Sequence, residues 1–182
     1  MKELSLNILD ITENSVKAKA TLTEIDITET ADTLCITISD NGTGMPPEIV
    51  KGVENPFYTT RTTRRVGMGI PLLKMAAEQT GGSFKITSKC IDEDSVNHGT
   101  CVEAVFNKNH IDFTPLGDTV ATFTTLIQGH PDTDFKFTHI KGEKAVTLDT
   151  REMREILGDI PLNSYEVIKW AEEYLREQYE SL

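Results

Sequence analysis

The chain has 182 residues, enough for one domain or for one domain with an appended module. Hydrophobic residues at 38% and charged residues at 26% are values of a globular chain and exclude a disordered one. The formal net charge of −11 argues against a general binder of nucleic acid or of a membrane surface, because phosphate-rich surfaces require a local excess of Lys and Arg.

The first predicted element is a helix over 3–19, where Leu4, Ile8 and Ile11 recur at helical spacing. Two stretches of alternating apolar and polar residues follow, at 23–29 and 33–39. The short Ala31-Asp32 connection makes them an antiparallel hairpin. Pro46-Pro47 starts a short helix through Val53. Residues 55–69, NPFYTTRTTRRVGMG, have no period and read as a long loop of functional type. Then come a helix (IPLLKMAAEQT) with Gly81-Gly82 as its C-cap, a strand at 83–88, a polar turn and a strand at 100–106.

Composition changes between Asn107 and Pro115, which divides the chain into residues 1–107 and a C-terminal α+β extension, 108–182. The extension reads as a helix at about 117–128, a hairpin turning at Lys141-Gly142-Glu143, a helix from Thr150 to Gly158, and a helix from Ser164 with Glu166 as a partial capping signal. In the last helix, Val167, Trp170, Ala171, Tyr174 and Leu175 form an apolar stripe, for the protein's own core or for a partner or second copy. Because strands adjoin strands in sequence, the expected fold is a two-layer α+β sandwich with a mostly antiparallel sheet and helices on one face.

Cys35, Cys90 and Cys101 form no CxxC and cannot all pair, which fits small buried residues in a reducing cytoplasm. The N-terminus lacks a signal-peptide core and no apolar run reaches membrane-spanning length, so a cytoplasmic location is expected.

Three stretches carry chemistry. On the first helix, Asn7, Asp10, Asn14 and Lys17 share one narrow polar stripe between apolar flanks, which lines either a site or the edge of the core. An Asn carbonyl suits magnesium beside phosphates and waters. A carboxylate one turn earlier suits proton acceptance. Lys17 suits phosphate, or an i, i+4 ion pair with Glu13. The stretch TTRTTRR packs three arginines and four threonines into an acidic protein and feeds GMGIPLLK, glycines at a helix start where free N–H groups favour anions. It is neither a P-loop nor a Rossmann fingerprint. Finally, ISDNGTGMP ends a strand on Asp40 beside two glycines. Asp-Asn-Gly alone is turn chemistry, but a carboxylate there can also accept from an exocyclic amine such as that of adenine, with glycine backbone admitting a ring closely.

In order, these boxes resemble the ATP-binding domain shared by gyrase-type topoisomerases, ninety-kilodalton heat-shock chaperones, histidine kinases and mismatch-repair ATPases, the GHKL group. DITENSVKAKATLTEIDI resembles the N box, DNGTGMP the adenine box, NPFYTTRT and GMGIPLLK the two ends of the ATP lid, and GGSFKITS with HGTCVEAVF the closing strands. The resemblance covers about residues 1–107. It implies a Bergerat-type ATP-binding fold, with ATP and Mg²⁺ as cofactors. Asn14 would be the metal ligand, Asp40 the adenine acceptor and Asp10 the catalytic carboxylate. Lys17, Thr59, Thr60, Arg61, Gly67 and Gly69 would contact phosphates or form the lid, and Thr100 would support the adenine site. Gly42, Gly44, Met45, Phe57, Met68 and Ile70 fall in the same boxes and are expected to contact nucleotide.

Two departures shape the functional expectation. Members that hydrolyse ATP or phosphorylate serine usually carry Glu where this chain has Asp10. A helical dimerisation segment with a phosphoacceptor histidine is not expected in these residues, since none of His98, His110, His130 or His139 sits in such a motif. The expected protein is an ATP- and Mg²⁺-dependent signalling module, a protein kinase of anti-sigma-factor or histidine-kinase type or a slow ATPase switch. The alternative is a catalytically silent, ATP-dependent binding protein. A protein partner or substrate is expected, with homodimerisation open, and no nucleic acid or membrane partner.

Overall fold

The structure, a computed structural model, describes residues 3–53 and 69–182. Its elements are α1 (Leu4–Lys17), β1 (Leu22–Glu29), β2 (Thr33–Asp40), α2 (Pro47–Val53), α3 (Gly69–Gln79), β3 (Ser83–Lys89), β4 (Gly99–Asn107), α4 (Thr119–Gly129), β5 (Asp134–Lys141), β6 (Lys144–Asp149), α5 (Thr150–Leu157) and α6 (Tyr165–Ser181). The six strands form one sheet in the order β3-β4-β2-β1-β5-β6. All neighbouring pairs are antiparallel except β1 with β5, which is parallel. The fold is therefore the expected α+β sandwich with a mixed, mostly antiparallel sheet.

Strand periodicity sets the two faces. Ile25 and Ile27, Leu34, Ile36 and Ile38, Val102, Ala104 and Phe106, and Phe135 and Phe137 alternate with polar residues and are all buried under the helices. Leu4, Ile8 and Ile11 of α1 meet them from above, and Leu73 and Ala77 of α3 extend the same core. Residues beyond 107 join this core. β5 pairs with β1 along eight residues, and Phe123 of α4 packs against Phe135 and Phe137 at ring separations of 6.4 and 5.0 Å. α4 lies between α1 and α6 in the helical layer. Its connection also serves α1, whose first N–H groups donate to the carbonyls of Pro115 and Leu116.

The stripe on α6 divides. Val167, Ala171 and Leu175 are core residues, whereas Trp170 and Tyr174 stack on each other outside it, with ring centroids 4.9 Å apart. The capping signal at its start is not realised: Ser164 has extended backbone, but its hydroxyl makes no cap bond. The cysteines are free and half-buried rather than core. Cys35 and Cys101 lie on the sheet face away from the helices, where alternation puts them, and burial pushes both thiols up. Among the described residues, no helix is long and apolar enough to cross a membrane.

Candidate nucleotide site

Strand pairing aligns Asp40 with Thr100, and Thr100 with Ser88, in one row at the end of the sheet. All three occupy the register of the buried residues of their strands and so face the helical layer. The Asp40 carboxylate is fixed from three sides. Ser15 of α1 donates its hydroxyl to Oδ2 at 2.7 Å, and the N–H groups of Gly42 and Thr100 donate to Oδ1 at 2.9 and 3.3 Å. An ionised carboxylate accepts about four hydrogen bonds. Oδ2, with one partner among the described residues, keeps acceptor capacity for an incoming N–H.

The glycines beside Asp40 allow close backbone approach. Gly44 has φ +64°, and a Cβ there would collide with the Lys89 carbonyl. A Cβ on Gly42 would lie 2.8 Å from the Ala18 carbonyl at the end of α1. Thr43 donates its N–H to that carbonyl, and Met45 donates to the Ser88 hydroxyl at 2.8 Å. Ser88 in turn donates to the Gly99 carbonyl and lies 2.8 Å from the Thr100 hydroxyl. The loop from β2 is thus tied both to α1 and to the closing strands. Asn41 ties it to β1, its side-chain carbonyl accepting from Thr21 and Leu22. His98 Nδ1 meets the Gly42 carbonyl at 2.5 Å. The loop carrying His98 is ordered by Asp94: the Lys89 ammonium, then the Asn97 and Val96 N–H groups, hold that carboxyl well below the usual carboxylate range.

On α1, Asp10 is exposed and Asn14 half-buried, while Asn7 is 3% exposed, so the predicted stripe runs from core to surface rather than along one open wall. Asp10 reaches the start of α3, where a Cβ on Gly69 would lie 3.1 Å from its Oδ2. The Asp10 carboxylate and the start of α3 therefore meet, one helical turn from Asn14 on α1. Ile70 follows in α3 and is half-buried against the core. Lys17 lies 3.8 Å from Glu13, the ion pair that its spacing also allowed. Glu13 further meets His130 Nε2 from the end of α4 at 2.7 Å. Phe57, Thr59, Thr60, Arg61, Gly67 and Met68 lie outside the described residues.

The chain's own atoms fit the cofactors that the sequence implies. Asp40 supplies a fixed acceptor, and Gly42 and Gly44 let the loop beside it pack directly on the Ala18 and Lys89 carbonyls. No group of three or more His, Cys, Asp or Glu side chains among the described residues forms a metal cage. A magnesium ion held at Asn14 would thus take its other ligands from phosphate oxygens and water, as that ion prefers. Sequence reading missed Ser15, Ser88 and His98. Ser15 carries no signal of its own, since a serine on the buried face of a helix is ordinary.

The chain matches known proteins over the same stretch. The family model for the histidine kinase-, DNA gyrase B- and HSP90-like ATPase matches residues 2–110. Sporulation kinase C of Bacillus subtilis is 31% identical over 91 residues, which are 49% of this chain and 20% of that protein. The CAI-1 autoinducer sensor kinase/phosphatase CqsS of Vibrio cholerae is 27% identical over 134 residues, 67% of this chain and 19% of that one. The chain thus spans a fifth or less of the length of these relatives. Among solved structures, the Aquifex aeolicus MutL ATPase domain complexed with ADP superposes with a TM-score of 0.54 at 18% identity, covering 86% of this chain and 69% of that one. The N-terminal domain of a DNA repair protein does so at 0.57 and 18%, covering 82% and 53%. At such identities these two share the fold. The family match over residues 2–110, the stretch that carries the ordered boxes, makes this chain a member of the histidine kinase-, DNA gyrase B- and HSP90-like ATPase family.

Proposed function

We propose that the protein is an ATP- and Mg²⁺-binding signalling module that acts as a protein kinase or a slow ATPase switch on a protein partner in the cytoplasm. The observation that carries this reading is the Asp40 carboxylate, immobilised by Ser15, Gly42 and Thr100 with acceptor capacity remaining on Oδ2. Adenine's exocyclic amine matches that acceptor. Guanine presents a carbonyl in the same place and does not. Bound ATP supplies a terminal phosphoryl group for transfer. Asn14 would hold the metal, Asp10 would accept the proton of the attacking hydroxyl or water, and Lys17 and the 59–69 stretch would neutralise phosphate charge.

The kinase side is supported by the names of the curated relatives, sporulation and sensor kinases, although this chain spans only a fifth or less of each. The silent, ATP-dependent binding protein is favoured by one observation. Asp10 is one methylene shorter than the glutamate usual at this position, and a displacement of about 1 Å costs on the order of 100-fold in rate. Incubation with γ-labelled ATP separates the readings. Slow release of phosphate or labelled protein fits the proposal. Tight binding with neither product replaces it with the silent switch, and no binding of ATP removes both.

A further inference from the structure

The C-terminal helices carry a feature that nucleotide chemistry does not use. Between α5 and α6 runs an open groove of about 590 Å³ lined by Met153, Ile156, Leu157, Ile160, Val167 and Trp170. Its walls are apolar and wet: Ile156 is 84% exposed, Ile160 54% and Trp170 49%. Contiguous apolar surface of this kind on a chain of acidic composition marks an interaction site.

Charge selects the occupant. Residues 150–182 hold eight acidic and four basic side chains. All four bases are engaged within the chain: Arg151 with Asp149, Arg154 with Asp134, Lys169 with Glu173 and Arg176 with Glu172. Glu166 lines the groove, Glu152 and Glu155 are exposed on α5 and Asp159 on the connection to α6, and none of the four makes an ion pair among the described residues. A second copy would set acidic rim against acidic rim, with −11 on each chain. We propose that the α5–α6 groove docks an amphipathic helix of a partner protein, apolar on the face that enters and rich in Lys and Arg on its flanks. Two helices walling an apolar trough suit a third helix with anchors at i, i+3, i+4 and i+7, and Trp170 is the side chain most suited to act as the central contact.

Trp170 is the only tryptophan of the chain, so its emission reports on the groove directly. The full chain is titrated with a tryptophan-free peptide of about 16 residues, leucine at one helical face and lysine elsewhere. Parallel titrations use its glutamate counterpart and a leucine–lysine peptide scrambled to destroy the face. The expected result is a saturable blue shift with the patterned basic peptide alone, weakened about tenfold or more by Ile156→Ser and by Glu166→Lys, and weakened by salt. Ile156 is exposed enough that serine leaves the fold intact, which an unchanged melting curve verifies. Equal binding of the scrambled or acidic peptide, indifference to both substitutions, or no shift overturns the proposal. So does a dimer in sedimentation that Ile156→Ser dissociates, since the groove would then be filled by a second copy.

Discussion

The adenine-accepting role proposed for Asp40 depends on its neighbours. Among the described residues its Oδ2 has a single partner, the Ser15 hydroxyl, which fixes the carboxylate against α1. A hydrogen bond to a charged acceptor is worth about 1.5–3 kcal/mol, and part of that is lost when the carboxylate must be ordered on binding. Ser15→Ala should therefore weaken ATP binding by on the order of tenfold in calorimetry, with adenine preference retained. Asp10 and Asn14 are one turn apart on α1 but are assigned different work. Asp10→Asn should leave ATP affinity unchanged and abolish the residual phosphate release or transfer. Asn14→Ala should instead lose the magnesium dependence of binding. Turnover equal to the parent's in Asp10→Asn would remove Asp10 as the base.

At the scale of elements, α6 links the core to a buried polar chain. Thr119 of α4 donates to the Tyr179 hydroxyl at 2.8 Å, and Tyr179 lies 2.9 Å from His139 Nδ1 on β5. Burial pushes the Tyr179 phenol up to about 12, and on the far side of the ring His139 Nε2 lies 3.5 Å from Glu29 and makes no hydrogen bond among the described residues. Burial holds His139 below its ordinary value of 6.5 despite the pull of Glu29. For Glu29, burial alone would raise the carboxyl, but the Lys108 hydrogen bond and the charges of Lys108, Lys141 and His139 together lower it. A depressed histidine binds fewer protons folded than unfolded. Its contribution is present above the unfolded value and is lost as pH falls through the folded one. Glu29 has the same sign in the carboxylate range. Urea midpoints should fall from about pH 7.5 to about pH 5.5 in the parent, with a flatter slope in His139→Gln. Tyr179→Phe should cost about 1–3 kcal/mol at neutral pH, because it strands buried polar partners on two elements. Truncation before Asn163 removes Val167, Ala171 and Leu175 from the core and should unfold the chain. A truncated chain with a native melting transition would contradict that.

The whole molecule shows why some of this was legible in sequence and some was not. Local periodicities carried α1, the β1–β2 hairpin, α3 and the β5–β6 hairpin, each within one or two residues of its observed bounds. The place of Asp40 at the strand end was legible because strand alternation runs straight into turn residues. The parallel pairing of β1 with β5 was not, since it joins segments more than a hundred residues apart and leaves no local pattern. Ser15 and Ser88 were hidden for the same reason: each matters through a partner far along the chain. That sheet end, where β2, β3 and β4 meet under α1, is where the functional reading stands or falls. The most direct measurement is calorimetric titration of the parent and of Asp40→Asn with Mg·ATP and with Mg·GTP. Binding of ATP by the parent, much weaker binding of GTP, and sharp loss of ATP affinity in Asp40→Asn are the predicted results. Equal affinity for the two nucleotides, or an Asp40→Asn variant that binds ATP as well as the parent, would contradict the account.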